Sequence, residues 1–181
     1  MKRCVTMFCA IAAAAACVGV FADDKKDEPK KDPAKPAAKH AGLERFKQLA
    51  GDWTGKDSAG MFPEVRINYR VTAAGSAVVE TLFPGAEHEM VTVYHADGDD
   101  FMLTHYCAAG NQPRMKAERG GDGKKFVFKF AGATNLKSEN DMHMHDATIT
   151  FPDADSIVSE WTHYVNNKAA GTVKFEMKRK K

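Results

Sequence analysis

Strict alternation of apolar and polar residues constrains this chain more than any other feature of its sequence. Apolar side chains occupy every second position over 65–71, 126–130 and 173–177. A period of two is typical of β-strands that bury one face and expose the other. We therefore predict about ten strands, at 52–57, 62–72, 77–83, 89–95, 101–107, 113–119, 124–131, 143–151, 157–165 and 171–179.

The short connections between these segments limit how the strands can pair. None is long enough for the crossover helix that a parallel pair needs, so sequential strands should pair antiparallel. Closure into a barrel removes the unpaired edges, and a two-sheet sandwich is the alternative. Leu43, Phe46 and Leu49 recur at helical spacing before Gly51. The predicted fold is all-β: a ten-stranded antiparallel up-and-down barrel with one short N-terminal helix.

The chain ahead of the predicted barrel divides into an export signal and a spacer. Residues 1–22 combine a basic start, an apolar run and a small-residue cleavage site, which is the layout of a signal peptide. Residues 23–40 are rich in Lys, Asp, Pro and Ala and lack large apolar side chains, which predicts a disordered linker. Residues 41–181 remain as one lipocalin-like barrel domain. We expect an exported protein that is periplasmic or secreted.

Removal of the signal changes the charge and the cysteine count. The 181 residues include 26 Lys+Arg and 24 Asp+Glu, and two of the bases lie in the signal. The neutral remainder gives no support for nucleic-acid or anionic-membrane partners. Of four cysteines only Cys107 survives export. The residues ending at Cys17 loosely fit a lipoprotein cleavage site, but Leu is expected where Ala14 stands. We therefore predict no lipid anchor and no membrane insertion.

The start of the predicted barrel resembles a known class of proteins. Residues 43–55 read LERFKQLAGDWTG, a short helix followed by a G-x-W motif at Gly51 and Trp53. The chain resembles uncharacterised bacterial lipocalin-like (calycin-type) β-barrel proteins and, more distantly, nitrobindin-type and fatty-acid-binding barrels. Phrases at 76–85, 88–95, 104–107 and 110–115 extend this resemblance over most of 42–181. It implies that Trp53 plugs one end of the barrel, and it brings no established activity.

The two ends of the predicted barrel differ in their connections. Tight turns rich in Gly, Asp and Pro fall at the end where the Trp53 strand begins, which we name the closed end. The longer connections fall at the opposite end, the mouth end, and the longest of them is 132–142. Binding sites concentrate on the longer loops of a rigid scaffold. The mouth end is thus the predicted site, with 132–142 as a mobile lid.

Histidines are predicted to converge inside the mouth end. A turn at 152–156 would place His145 opposite His163, with His143 on the same face as His145. A turn at 108–112 would place His105 opposite Met115 and direct it inward. A slip of one residue in either hairpin would turn these side chains outward, where they would form an ordinary polar surface.

Three further polar residues, Asn111, Gln112 and Glu80, have two interpretations each. The same 108–112 turn would pair Cys107 with Pro113, and Asn111 and Gln112 would either contact a polar ligand group or satisfy the turn. Glu80 faces inward if the turn at 73–76 sets the register. A slip by one, the more ordinary arrangement, would turn it outward.

The leading hypothesis is that the barrel binds a small, partly apolar ligand. Such a barrel should contain a cavity larger than a few water molecules, whereas a packed structural barrel, which is a further alternative, should not. Sequence motifs for phosphate loops, nucleophile elbows, zinc proteases and dinucleotide binding are absent, which favours binding over catalysis. The predicted ligand-binding residues are His105, Cys107, Asn111, Gln112, His143, His145 and His163.

A metal site is the rival hypothesis. His-x-His on one strand and a histidine on its neighbour can present three nitrogens to Zn, Cu, Ni or Fe, leaving a position for a catalytic water. The residues would be His143, His145 and His163. Haem is disfavoured because no haem-attachment motif occurs, although nitrobindin-type relatives use a single axial histidine that His163 could supply.

Overall fold

The structure, a computed structural model, describes residues 40–181. The signal peptide predicted over 1–22 lies outside the described residues, as does the linker predicted over 23–40 except for His40. One helix, α1 (Ala41–Lys47), precedes ten strands. The strands are β1 (Gly51–Asp57), β2 (Val65–Thr72), β3 (Ala77–Leu82), β4 (Met90–Asp97), β5 (Asp100–Tyr106), β6 (Gln112–Ala117), β7 (Lys125–Thr134), β8 (His143–Asp153), β9 (Ser156–Val165) and β10 (Lys168–Arg179).

The ten strands form one closed antiparallel barrel. Each strand pairs with its neighbours in sequence, and β1 pairs with β10 to complete the circle. At this seam Trp53 lies opposite Arg179, and Gly55 lies opposite Met177. The predicted up-and-down barrel is confirmed, and the two-sheet alternative is wrong. Among residues 40–181, no helix has the length and apolar character needed to cross a membrane.

Helix α1 packs across the closed end because its apolar face continues the barrel core. Phe46 is fully buried, and its ring centroid lies 4.5 Å from that of Tyr94 and 5.0 Å from that of Phe101. The indole Nε1 of buried Trp53 donates a hydrogen bond of 2.8 Å to the carbonyl oxygen of Leu49, just after the helix. Trp53 thereby joins the first strand to the segment that covers the closed end.

Arg179 of the last strand, β10, makes charged contacts at the same end of the barrel. The guanidinium of Arg179 donates to the carbonyl oxygens of Gln48 and Ala50, at 2.8 Å and 2.9 Å, and it lies 4.3 Å from the centroid of the Trp53 ring. A cation at these carbonyls complements the negative end of the helix dipole. Residues from both ends of the described chain therefore meet at the closed end.

The predicted register of β8 with β9 is correct only from Thr150 to Asp146, because the register shifts between Thr150 and Asp153 beside the turn and again at His145. Thr150 lies opposite Val158 and Asp146 opposite Thr162, as the turn predicts. A register shift then follows between Met144 and Asp146, so that Met144, not His145, lies opposite His163. The predicted pairing of His145 with His163 is wrong because a β-bulge leaves His145 as the extra residue.

The predicted register of β5 with β6 is wrong by two residues. Leu103, not His105, lies opposite Met115. The backbone N–H of Cys107 instead closes a tight turn by donating to the carbonyl oxygen of Asn111. A shift of two preserves the face to which each side chain points, and His105 is buried as predicted.

The register of β2 with β3 places Glu80 inside the barrel. Tyr69 lies opposite Glu80, and Glu80 is only 3 % exposed. The turn at 73–76 thus sets the register directly, and the slip that would have turned Glu80 outward does not occur.

Candidate functional site

A row of buried polar side chains crosses four neighbouring strands inside the barrel. Tyr69 on β2 lies opposite Glu80 on β3, Glu80 lies opposite Thr92 on β4, and Thr92 lies opposite His105 on β5. All four residues are buried. Because directly paired residues of an antiparallel sheet share a face, the row forms a continuous polar band on one wall of the interior.

Glu80 is the acid of this band and is held by tyrosine hydroxyls. The Tyr94 hydroxyl donates a hydrogen bond of 2.7 Å to Oε2 of Glu80, and Tyr69 also bonds to the carboxyl. Burial raises the pKa of Glu80, and the bonds from the two tyrosines oppose this rise. Burial and the adjacent carboxyl raise the pKa of both tyrosines well above the usual value, so both hydroxyls keep their protons.

His105 is the basic group at the other end of the row. Its Nδ1 lies 2.9 Å from Oγ1 of Thr92, and its ring centroid lies 5.0 Å from that of Trp161. Burial lowers the pKa of His105 from 6.5 to about 4, so the ring is neutral at neutral pH. Its second nitrogen, Nε2, is buried without a hydrogen-bond partner in the protein.

A small cavity lies against the row in the mouth half of the barrel. Its volume is about 40 Å³, room on the order of one to three water molecules. Glu80 and His105 contribute its polar groups, and the rest of the wall is apolar. The apolar residues are Leu82, Met90, Met144, Trp161, Val173 and Phe175. Larger depressions lie elsewhere among residues 40–181, for example one of about 400 Å³ beside His40 and Phe101 at the closed end.

Acid should destabilise the barrel through His105. The unfolded imidazole takes up its proton near pH 6.5 and the folded one only near pH 4. The folded state therefore binds fewer protons in this window, and stability falls with pH between the two values. We expect His105→Gln to reduce the loss of unfolding free energy between pH 7 and pH 4 by about 3 kcal/mol. Urea unfolding at both pH values measures this loss, and an unchanged loss in the variant would contradict the assignment.

His143 and His145 lie in a separate stack of aromatic rings. The ring centroid of His145 lies 3.8 Å from that of Tyr164 and 4.7 Å from that of Phe130, with nearly parallel planes. His143 is buried, and its Nδ1 lies 2.9 Å from the carbonyl oxygen of Asp141. A carbonyl only accepts, so Nδ1 donates and Nε2 of a neutral ring presents a lone pair. We name Phe130, His143, His145 and Tyr164 the ring stack.

His163 belongs neither to the polar row nor to the ring stack. It faces Gly171 across the β9–β10 pair, and a Cβ on Gly171 would come within 2.7 Å of Cε1 of His163. Within residues 40–181 no group of three or more His, Cys, Asp or Glu residues is arranged to hold a metal ion. The β-bulge at His145 removes the cross-strand pair on which the predicted metal site depended.

The remaining predicted site residues belong to the β5–β6 turn. Cys107 is half-buried, and burial raises the pKa of its thiol, which disfavours the reactive thiolate. Gln112 bonds within the turn and to Thr134. Asn111 is buried, and its Nδ2 donates a hydrogen bond of 2.7 Å to the carbonyl oxygen of Met142. Asn111 thereby ties the turn to the neighbouring connection.

That connection, predicted as a loop over 132–142, is shorter in the structure because β7 extends to Thr134. The carboxylate of Asp141 accepts hydrogen bonds from the backbone of Lys137 and Ser138. The backbone N–H of Asn166, in the next mouth-end turn, donates to the carbonyl oxygen of Asn140. These bonds and the bond from Asn111 hold the loop at both flanks.

Unpartnered polar atoms concentrate at the mouth end. Among the described residues, four buried side-chain nitrogen or oxygen atoms have no hydrogen-bond partner within the protein, and one of them, Nδ1 of His145, lies 3.5 Å from a carboxylate oxygen of Asp146. All four belong to residues that the sequence singled out: Nε2 of His105, Oδ1 of Asn111, Nε2 of His143 and Nδ1 of His145. Buried polar atoms are paired in most native structures, so these atoms require partners from outside the protein, either water molecules or a ligand.

Comparison with solved structures agrees with the fold. The barrel is similar to the structure of Rv2717c from M. tuberculosis, a nitrobindin/calycin-type barrel protein, with a TM-score of 0.54 and 10 % identity. The match covers 77 % of this chain and 98 % of that one. No family model and no curated protein matches the chain. At this identity the similarity concerns the fold alone.

The sequence singles out Glu80 and His105 but not Tyr69 and Thr92, the other two residues of the polar row. Tyr69 lies within an alternating apolar set, which predicts a core residue, and no sequence motif marks Thr92 or Tyr94. The available signal was the turn at 73–76, whose register already placed Glu80 opposite Tyr69. A carboxyl opposite a tyrosine on a buried face is a pair that hydrogen bonding can stabilise.

Proposed function

We propose that this chain is an exported small-molecule-binding barrel whose ligand enters at the mouth end. The four unpartnered buried atoms of His105, Asn111, His143 and His145 carry the proposal. A ligand with hydrogen-bonding groups would pair them, and pairing removes a free-energy penalty of about 1–3 kcal/mol for each atom. The calycin-like fold of the barrel is consistent with this role.

The size of the cavity limits what the ligand can be. Binding sites for drug-sized molecules usually measure roughly 300–1,000 Å³, whereas the interior cavity has only about 40 Å³. The expectation of a cavity larger than a few water molecules is therefore not met, and by that criterion the interior matches the packed structural alternative, so the proposal depends on the unpartnered atoms and not on the cavity volume. The ligand inserts a small hydrogen-bonding group between Met90 and Met144, whose unbranched side chains adapt easily, and leaves its remaining atoms among the mouth-end loops.

Proton–carbon NMR of the histidine rings tests the proposal. The probes are ethanol, acetamide and phenol, three neutral molecules that join a polar group to an apolar one. We expect at least one of them to shift the ring resonances of His105, and of His143 or His145, in a saturable manner. His95 pairs with Met102 away from the mouth end, and its resonances should stay unchanged.

Two substitutions complete this test. We expect His105→Ala to weaken binding of the active probe by about tenfold, because it removes one buried hydrogen-bonding partner. His95→Ala should bind the probe as the wild type does. If all three probes leave His105, His143 and His145 as unaffected as His95, the barrel is instead a packed structural module.

A further inference from the structure

The buried carboxyl of Glu80 is not matched by a positive charge. Its hydrogen-bond partners, Tyr69 and Tyr94, are neutral hydroxyls, and none of the described residues supplies a cation to it. The cavity beside it has no Lys or Arg in its lining. A buried ionised carboxylate is expensive unless it is paired. Glu80 therefore either holds a proton or pairs with a positive group brought from outside.

The hydrogen bonds around Glu80 favour the ionised form. Two hydroxyls bond to the carboxyl, which is the pattern that stabilises a carboxylate. His105, the other polar residue of the cavity lining, is neutral and so does not repel a positive ligand. Only the desolvation of the carboxylate opposes ionisation, and a bound cation would offset that penalty.

The rest of the cavity wall suits an organic cation. Trp161 and Phe175 present aromatic rings to it, and Met90 and Met144 present thioethers. Aromatic rings attract ammonium groups through their negative faces, with tryptophan the strongest of them. The volume of about 40 Å³ accepts a headgroup of a few atoms and no more.

We propose that the mouth-end cavity binds the primary ammonium group of a small amine, with Glu80 as its counter-ion, Trp161 as its aromatic wall and His105 as a neutral hydrogen-bonding neighbour. This inference rests on the proposed ligand-binding function and narrows it to one class of ligand. The apolar remainder of the amine points to the mouth. A free amine of two or three carbon atoms fills the cavity alone.

A titration of the wild-type protein with ethylammonium chloride tests the inference. Ethanol serves as the neutral analogue of the same size, and sodium chloride controls for ionic strength. The indole N–H resonance of Trp161 reports on the cavity, while that of Trp53, buried at the closed end, is an internal control. We expect ethylammonium to shift the Trp161 resonance saturably, with half-saturation in the millimolar range for so small a ligand.

The substitution Glu80→Gln provides the second arm. It preserves the size of the side chain and removes the charge, and we expect it to weaken ethylammonium binding by at least about tenfold. The conservative variant His95→Gln should bind as the wild type does. Equal affinity in Glu80→Gln and wild type, or no response of Trp161 to ethylammonium, would overturn the inference. If Trp161 responds to ethanol alone, the ammonium assignment is wrong and the proposed function stands.

The pH dependence of the wild type gives a test that needs no variant. Tyr69 and Tyr94 stay protonated and His105 stays neutral above about pH 5, and β8, β9 and β10 place only Met144, Trp161, Val173 and Phe175 on the cavity. Glu80 is thus the group that titrates there. Affinity for ethylammonium should fall about tenfold per pH unit below the pKa of Glu80. An affinity that does not fall on acidification, with Glu80→Gln also unchanged, would contradict the proposal.

Discussion

Gly55→Ala is expected to reduce the unfolding free energy by at least about 3 kcal/mol. Gly55 lies on β1 at the seam where the barrel closes, opposite Met177 of β10. A Cβ at this position would come within 2.0 Å of the carbonyl oxygen of Glu176 and 2.8 Å of Sδ of Met177. The first of these atoms belongs to the backbone of β10, so the two strands must separate to accept the methyl group.

Separation of β1 from β10 would expose two strand edges that the closed barrel hides. Unpaired edges promote association between molecules. We therefore expect Gly55→Ala to aggregate on heating as well as to unfold at lower urea concentration, measured by tryptophan fluorescence and light scattering. Gly60→Ala is the control, because nothing lies within 4 Å of a Cβ there. Gly60 has a positive φ, so the strain of an alanine there should cost about 1–2 kcal/mol, and no steric clash should add to it. Similar losses for the two variants would show that the seam is pliable.

Phe46→Ala is expected to cost about 3–5 kcal/mol of unfolding free energy. The Phe46 side chain is fully buried and contacts five other aromatic rings. Those rings belong to Tyr94, Phe101, Phe126, Phe128 and Phe151. Removing its ring leaves a cavity at the centre of this cluster, and the rigid barrel around it can collapse only in part.

The loss of unfolding free energy in Phe46→Ala should be specific to substitution in the buried core. Urea unfolding at pH 7 measures it, and Met61→Ala, whose side chain is 60 % exposed at the mouth end, should change stability by less than about 0.5 kcal/mol. A loss below about 1 kcal/mol for Phe46→Ala would mean that α1 covers the closed end without stabilising it. Probe binding at the mouth end should survive in the folded fraction.

Alternation in the sequence was sufficient to predict the strands and most of their faces. Side chains in a strand alternate strictly, so Leu103, His105 and Met115 are buried even though the register between β5 and β6 differs by two residues from the prediction. A shift by an even number leaves every face unchanged. The turn at 73–76 also predicts that Glu80 faces Tyr69, because it sets the register of β2 with β3 directly.

The bulge at His145 could not be predicted in this way. It adds one residue to β8, and the apolar pattern of Ala147 and Ile149 continues normally on one side of it. One extra residue changes the partner of His163 from His145 to Met144. A metal site requires its histidine nitrogens to be positioned within a fraction of an ångström of one another's ideal geometry. The alternation of the sequence predicts only on which face of the strand a side chain lies, and it does not predict a bulge.

The local pattern of residues and the lengths of the turns determine three properties of the barrel. These are the order of the strands, the helix at the closed end and the end at which polar residues gather. These properties depend on contacts between chain neighbours. The size of the cavity depends instead on how side chains from six strands fill one volume: Glu80, Met90, His105, Met144, Trp161 and Phe175 come from β3, β4, β5, β8, β9 and β10. Close packing is a joint property of all of them, so it emerges only when the barrel closes.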